Sequence, residues 1–161
     1  MYNLHMDPNP DEAPRRRTFE ISPPRSNIFS VDKPEREIFQ PEYVQVTPSN
    51  WEDFFPDIPS SSSDLYSRLE SGLVSIIVAL DPASGERAGY IQITHDANNK
   101  VYIETSPVYE RRGVASALMG QAQSRYESLT LYNIAGQVGE RLYEKMGFVK
   151  GDERDVYYWN K

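Results

Sequence analysis

The stretch SPVYERRGVASALMGQA, residues 106 to 122, sets two arginines, Arg111 and Arg112, and then Gly113 directly before a small-and-apolar run at helical spacing. That order of residue types can hold an anion. A glycine lets the chain turn tightly into the helix. The amides of Arg111, Arg112, Gly113, Val114, Ala115 and Ser116 then point out of a helix N-terminus. Unpaired N–H groups and the positive end of the helix dipole favour negative charge there, and a phosphate or pyrophosphate suits the site. The arginines add positive charge beside it, and Gly113 and Ala115 keep side chains out of the way. An ordinary strand-loop-helix connection with a solvated arginine pair would read the same, because short glycine motifs are weak evidence.

Positioning that loop requires a strand before it and a core behind it. KVYIETS (100–106) alternates as a strand and ends at Thr105 or Ser106. The helix is expected from about 113 to 127, anchored by a stripe of Ala115, Leu118, Ala122 and Tyr126. YVQVT (43–47) is a strand, and Ser49 is the expected cap of a short helix over 51–55. Asp64 is the expected cap of a helix through LYSRLES. LVSIIVAL (73–80) and RAGYIQIT (87–94) form a hairpin around the turn cluster DPASGE. LTLYN (129–133) is a strand, VGERLYEKM (138–146) a helix, and FVKGDERDVYYW two short strands around a polar turn. The order β-α-α-β-β-β-α-β-α-β-β predicts an α+β fold with a mixed, mostly antiparallel sheet flanked by helices.

Composition narrows the chemistry. A net charge of −7 argues against a nucleic-acid binder, which needs clustered Lys and Arg. The chain has no cysteine and two histidines, His5 and His95, so thiolate and His-based metal sites are not expected. No apolar run approaches the ~20 residues of a membrane span, and MYNLHMDPNPDEAP has no signal-peptide core. A soluble protein, cytoplasmic or within a larger particle, is expected, with no nucleic-acid or membrane partner.

Residues 1–41 differ from the rest. They hold seven of the twelve prolines (Pro8, Pro10, Pro14, Pro23, Pro24, Pro34 and Pro41) and none of the nine glycines. Such a segment buries too little apolar surface to offset its ordering entropy. It reads as a tail, extended or disordered, ahead of a domain at 42–161. Phe19, Ile21, Ile28, Phe29, Ile38 and Phe39 recur in pairs between prolines, which suits a strap docked on the domain or on another subunit. Arg15, Arg16 and Arg17 read as a solvated stretch.

The second half adds a motif. GERLYEKMGF (139–148) follows a short strand about thirty residues after the glycine loop. Together the two segments resemble the GNAT superfamily of acetyl-CoA-dependent N-acetyltransferases. Its signature is a strand, (Gln/Arg)-x-x-Gly-x-(Gly/Ala), a helix, a strand, and a helix ending LYEK-x-GF. The resemblance covers about residues 42 to 160 and implies a GNAT-like acyl-CoA N-acyltransferase fold. It also implies pantetheine between strands 100–106 and 129–133, held by backbone groups near Thr105 and Ser106, with the pyrophosphate on the loop from Arg111 to Ser116. Tyr143 matches the family's general acid. A phenol, with an unperturbed pKa of about 10 against about 8.5 for a thiol, can protonate a departing thiolate. The main-chain amide near Thr105 would polarise the acetyl carbonyl.

The sequence departs from the pattern at Glu110, where the family has Gln or Arg, and at Gly136 and Gly139, where it has Asn and Ala. Asn133 or Gln137 is expected to supply the hydrogen bond missing at Gly136. The base is open between Glu104, which faces away from Ile103 and Thr105, and His95. The serines 60–63 read as an acceptor-mouth loop or a linker. The leading function is acetyl transfer from acetyl-CoA to a primary amine of a protein or small molecule, the net charge pointing to a cationic acceptor. The alternative is a catalytically weak or inactive GNAT-fold binding or assembly protein, its tail docking on a partner or a second copy.

Overall fold

Valine, isoleucine and tyrosine crowd the strand stretches, and each stretch joins one seven-stranded sheet. The structure, a computed structural model, describes residues 39–132 and 136–161, with only the backbone of 137 and 138. These residues belong to one unit, Arg36–Lys161. The tail pairs from Phe19 to Ile38, and Asn133, lie outside the described residues.

The elements are β1 (Glu42–Val46), α1 (Trp51–Phe54), α2 (Asp64–Glu70), β2 (Val74–Leu80), β3 (Arg87–Thr94), β4 (Lys100–Thr105), α3 (Val114–Arg125), β5 (Ser128–Tyr132), α4 (Gln137–Lys145), β6 (Val149–Lys150) and β7 (Val156–Asn160). The expected order holds throughout. The sheet runs β1-β2-β3-β4-β5-β7-β6. Every neighbouring pair is antiparallel except β4 and β5, which run parallel. The α+β class expected from the sequence is therefore the observed one.

Strand alternation builds a core on each face. On one face Ile77, Ile91, Ile93, Val101, Leu129 and Leu131 meet Val114, Leu118, Met119 and Ala122 of α3 and Tyr143 of α4. On the other, Val46, Val74, Ile76 and Val78 meet Trp51, Phe55 and Leu69. Trp51 is wholly buried, and its Nε1 donates to the Ile58 carbonyl at 2.9 Å. Each fully buried Ile, Leu or Val is worth roughly 1.5–3 kcal/mol, so these two layers fix which strand face looks where.

Three local expectations are corrected. Ser49 does not cap α1: Asn50 holds that position, its Oδ1 accepting from the Thr47 amide at 2.7 Å. Asp64 is the first helical residue of α2, and Ser63 is the cap, its Oγ accepting from the Tyr66 amide at 3.1 Å. Ser63 is extended (φ −93°, ψ 119°), which lets its hydroxyl reach back into the first turn. The buried stripe of α3 starts at Val114 and not at Ala115, which is only half-buried.

Candidate active site

The sheet is divided at β4 and β5. The two strands pair only at Lys100 with Thr130 and Val101 with Leu131. In a regular antiparallel pair, alternate residues direct both backbone groups to the partner. The Ser106 amide donates to the Ala88 carbonyl at 2.9 Å, so Glu104 and Tyr102 also turn their backbone groups toward β3. Ile103 and Thr105 turn theirs toward β5, where no ladder partner stands among the described residues. Thr105 thus turns its backbone groups into the gap. The Ser106 backbone is engaged on both sides: its amide by Ala88, and its carbonyl by the Tyr109 amide at 2.8 Å. Ile103, which the sequence reading did not single out, turns its backbone groups the same way, and strand alternation was the signal.

Beyond β4 the chain makes a 3-10 turn at Pro107–Tyr109 and then bends sharply. Arg111 has φ 61° and Gly113 φ 87°. A Cβ on Gly113 would meet nothing within 4 Å, so glycine is required there by the left-handed backbone rather than by crowding. Gly113 is the cap of α3 with no side-chain cap, and its carbonyl receives the first helical bond, from Ala117 at 2.9 Å. The amides of Val114, Ala115 and Ser116 fall in the first turn, where no intrahelical acceptor exists, and no acidic residue occupies that turn. Val114 itself is buried, so only its amide is on offer. Glu110, Arg111 and Arg112 are exposed. The loop is braced from below by Tyr109, whose hydroxyl donates to Asp81 Oδ2 at 2.9 Å and lies 3.3 Å from Glu86 Oε2, while the Arg112 guanidinium sits 5.5 Å from its ring centre. Hydrogen bonds from the Ala83 amide and Tyr109 hold the Asp81 carboxyl below its usual pKa.

A cavity of about 700 Å³ opens at the split. Its walls come from both faces of the sheet: Val101, Ile103, Leu131 and Tyr143 from one, and Gln92, Thr94, Lys100, Tyr102 and Tyr132 from the other, with Arg68 of α2 and Asp96. Tyr143 is 6% exposed. Its ring packs on Tyr157 and Phe148 at 5.5 and 6.2 Å between centres. Its hydroxyl donates to no described residue, and burial raises its pKa above the usual 10. It is a protonated phenol facing a cavity. The Gln123 Nε2 donates to the Met146 carbonyl at 2.8 Å, tying the end of α4 to α3.

Neither base candidate lines the cavity. Glu104 is exposed, and its Oε2 accepts from the hydroxyls of Tyr90 and Tyr102, each at 3.3 Å. Burial, reinforced by that carboxylate, raises the pKa of both phenols. Glu104 thus touches the cavity only through Tyr102. His95 is exposed and away from it, its Nε2 2.7 Å from Ser75 Oγ and its ring against Tyr126. Gly136 has φ 63° and ψ −145°, a region open to glycine alone, so an asparagine would not fit there without a rebuilt backbone. The sequence departure at this position is thereby a structural requirement of this chain. Among the described residues no group of three or more His, Cys, Asp or Glu can hold a metal, and no helix is long and apolar enough to cross a membrane.

Comparison with known proteins bears on this geometry. The family model of the GNAT acetyltransferase domain matches residues 73–150. Over those residues the chain matches a GNAT acetyltransferase domain. The match runs from the hairpin of β2 and β3 to β6 and so includes the split, the glycine loop and α4. No curated protein sequence matches. Among solved structures, a GNAT-family acetyltransferase from Streptococcus pneumoniae is 18% identical, with a TM-score of 0.52 over 76% of this chain and 99% of that one. The spermidine/spermine N-acetyltransferase SpeG of Vibrio cholerae is 13% identical, with a TM-score of 0.57 over 75% of this chain and 95% of that one. A ribosomal-protein-alanine N-acetyltransferase from Brucella melitensis biovar Abortus 2308 is 16% identical, with a TM-score of 0.53 over 71% and 94%. At such identities the likeness is one of fold alone.

Proposed function

We propose that the protein transfers an acetyl group from acetyl-CoA to a primary amine. The observation that carries this reading is the split between β4 and β5, whose cavity is lined by the buried phenol of Tyr143, with β4 leading on into a glycine-started helix N-terminus. Acetyl-CoA supplies the thioester. The amides of Val114, Ala115 and Ser116, with Arg111 and Arg112 at the rim, hold its pyrophosphate. Ile103 and Thr105 present backbone groups to its pantetheine arm, and the Thr105 amide polarises the acetyl carbonyl where an oxyanion develops. Tyr143, a phenol that stays protonated at neutral pH and so is available as a donor, gives its proton to the departing thiolate. The incoming amine loses its proton to the Tyr102 oxygen as Tyr102 passes its own to Glu104. In this reading Glu104 is the terminal proton acceptor.

Calorimetry with acetyl-CoA, followed by a thiol-release assay over amines and peptides, tests the proposal. Saturable heat and acceptor-dependent thiol release are expected. No heat and no thermal shift at millimolar acetyl-CoA would overturn it. The second reading, a GNAT-fold binding or assembly protein without turnover, is favoured by Gly136, where this chain has no side chain to reach a substrate. It predicts acetyl-CoA heat with no thiol release on any amine.

A further inference from the structure

The α2 side of the cavity carries two cations that no ion pair among the described residues neutralises. Arg68 makes one hydrogen bond among the described residues, from Nη2 to Thr94 Oγ1 at 3.3 Å. Lys100 is the register partner of that same Thr94, so both cations belong to the same wall of the cavity. The Lys100 Nζ lies 4.4 Å from the Tyr132 ring centre, a contact that orients an ammonium but leaves its charge in place. The ion pairs of the described residues are Lys150–Glu140, Arg154–Asp155 and Lys161–Glu127, and none involves Arg68 or Lys100. Asp96 is the one acid in the lining. Its Oδ1 already accepts from the amides of Asn98 at 3.1 Å and Lys100 at 3.3 Å, closing its own turn.

We propose that this end of the cavity binds a carboxylate carried by the acceptor, so that the acceptor is a small amine with a carboxylate near it, an amino acid or a like zwitterion. A chain with 24 acidic and 17 basic residues has acids enough to pair two cations. Leaving both unpaired on one concave wall is the arrangement a bound anion completes. The local charge thus reverses the cationic acceptor that net charge alone suggests. The cavity, at about 700 Å³, is the size that small-molecule sites have. The aromatic faces of Tyr102 and Tyr132, both more than 40% exposed, border it and leave room for a short side chain.

The proposal rests on the acetyl-transfer reading, and its test separates the two. Matched pairs of amines, lysine against cadaverine and other amino acids against their decarboxylated partners, are titrated calorimetrically into the protein saturated with CoA, and then assayed for thiol release with acetyl-CoA. The amino acids are expected to bind at least tenfold tighter than their partners and to show a correspondingly lower KM. Arg68→Gln should erase that preference, Arg68→Lys should retain part of it, and CoA affinity reports that each variant is folded. Equal binding of the two members of every pair, or tighter binding of the decarboxylated amines, overturns the carboxylate assignment whether or not acetyl transfer occurs. A tenfold preference for succinyl-CoA over acetyl-CoA with carboxylate-free amines, lost in Arg68→Gln, would place the anion on the acyl chain and overturn it as well. Absence of heat with CoA itself strikes at the acetyl-transfer reading instead.

Discussion

The two sides of the β4/β5 split are made of different material. On the α3 side the proposed binding groups are main chain: the amides of Val114, Ala115 and Ser116, led by one glycine with φ 87°, and the strand edges of Ile103 and Thr105. On the α2 side they are side chains, Arg68, Gln92, Thr94, Lys100 and Tyr102, delivered by two strands and a helix far apart in sequence. A site of backbone groups depends on conformation and tolerates most side-chain changes. A site of side chains has its specificity rewritten by single substitutions. The first suits a cofactor that a whole fold family shares, and the second suits an acceptor that each member chooses for itself.

The largest effect is expected on the α3 side. Gly113→Val forces a β-branched residue into the left-handed region, at a cost of about 1–3 kcal/mol, and the chain will escape by turning the first amides of α3 away. Because a Cβ at this position meets nothing within 4 Å, the penalty is conformational. Gly113→Asn, which tolerates the left-handed region, should keep most of the affinity. Calorimetry should find no acetyl-CoA heat for the valine variant. Normal binding by it would move the pyrophosphate site elsewhere and dissolve the contrast between the two sides.

At the meeting point of the two sides, Tyr143→Phe should lower turnover tenfold or more and leave acetyl-CoA affinity within about twofold, since the ring and its packing on Tyr157 and Phe148 remain. The pH profile carries the sign. Burial disfavours the phenolate, so the Tyr143 proton is retained past the ordinary phenol pKa of about 10. The alkaline fall in kcat of the wild type should therefore begin above pH 10, and the phenylalanine variant should lack that limb. Unchanged turnover would make Tyr143 a packing residue only.

How much of this was legible follows from the same contrast. The glycine loop, the strand before it and the helix with LYEK are local, so residues 100–148 disclosed the α3 side and its fold. The element order was legible because strands and helices differ in period. Caps were misplaced by one residue, at Ser49 and Asp64, because either of two adjacent polar residues can cap until the backbone angles are known. The engagement of the Ser106 amide was not legible, because only the pairing with Ala88 shows it. The α2 side was not legible: Arg68 and Lys100 are 32 positions apart in the sequence, and they become neighbours through Thr94 only in the register of β3 with β4. Glu104 was correctly placed opposite Ile103 and Thr105, but its separation from the cavity by Tyr102 depends on side-chain contacts.

The smallest expected effect concerns the support beneath the α3 side. Phe39 packs on the core with its ring centre 5.5 Å from that of Tyr109, the residue that braces the loop before Gly113. We propose that residues 1–35 form a separate strap and that Phe39 belongs to the domain. Two truncations separate these roles. A chain beginning at Arg36 should match the full chain in thermal stability and acetyl-CoA affinity, whereas one beginning at Glu42 should lose about 1–2 kcal/mol from the exposed aromatic contact. Its acetyl-CoA affinity should weaken only a few-fold, because Tyr109 keeps its bond to Asp81 and the loop is loosened rather than lost. Phe39→Ala in the full chain should reproduce the difference. Equal stability of the two truncated chains would detach Phe39 from the loop. A change of assembly on removing residues 1–35, read by light scattering, would support the strap. Unchanged assembly together with unprotected amides in that segment would refute the strap and leave the support of Tyr109 by Phe39 untouched.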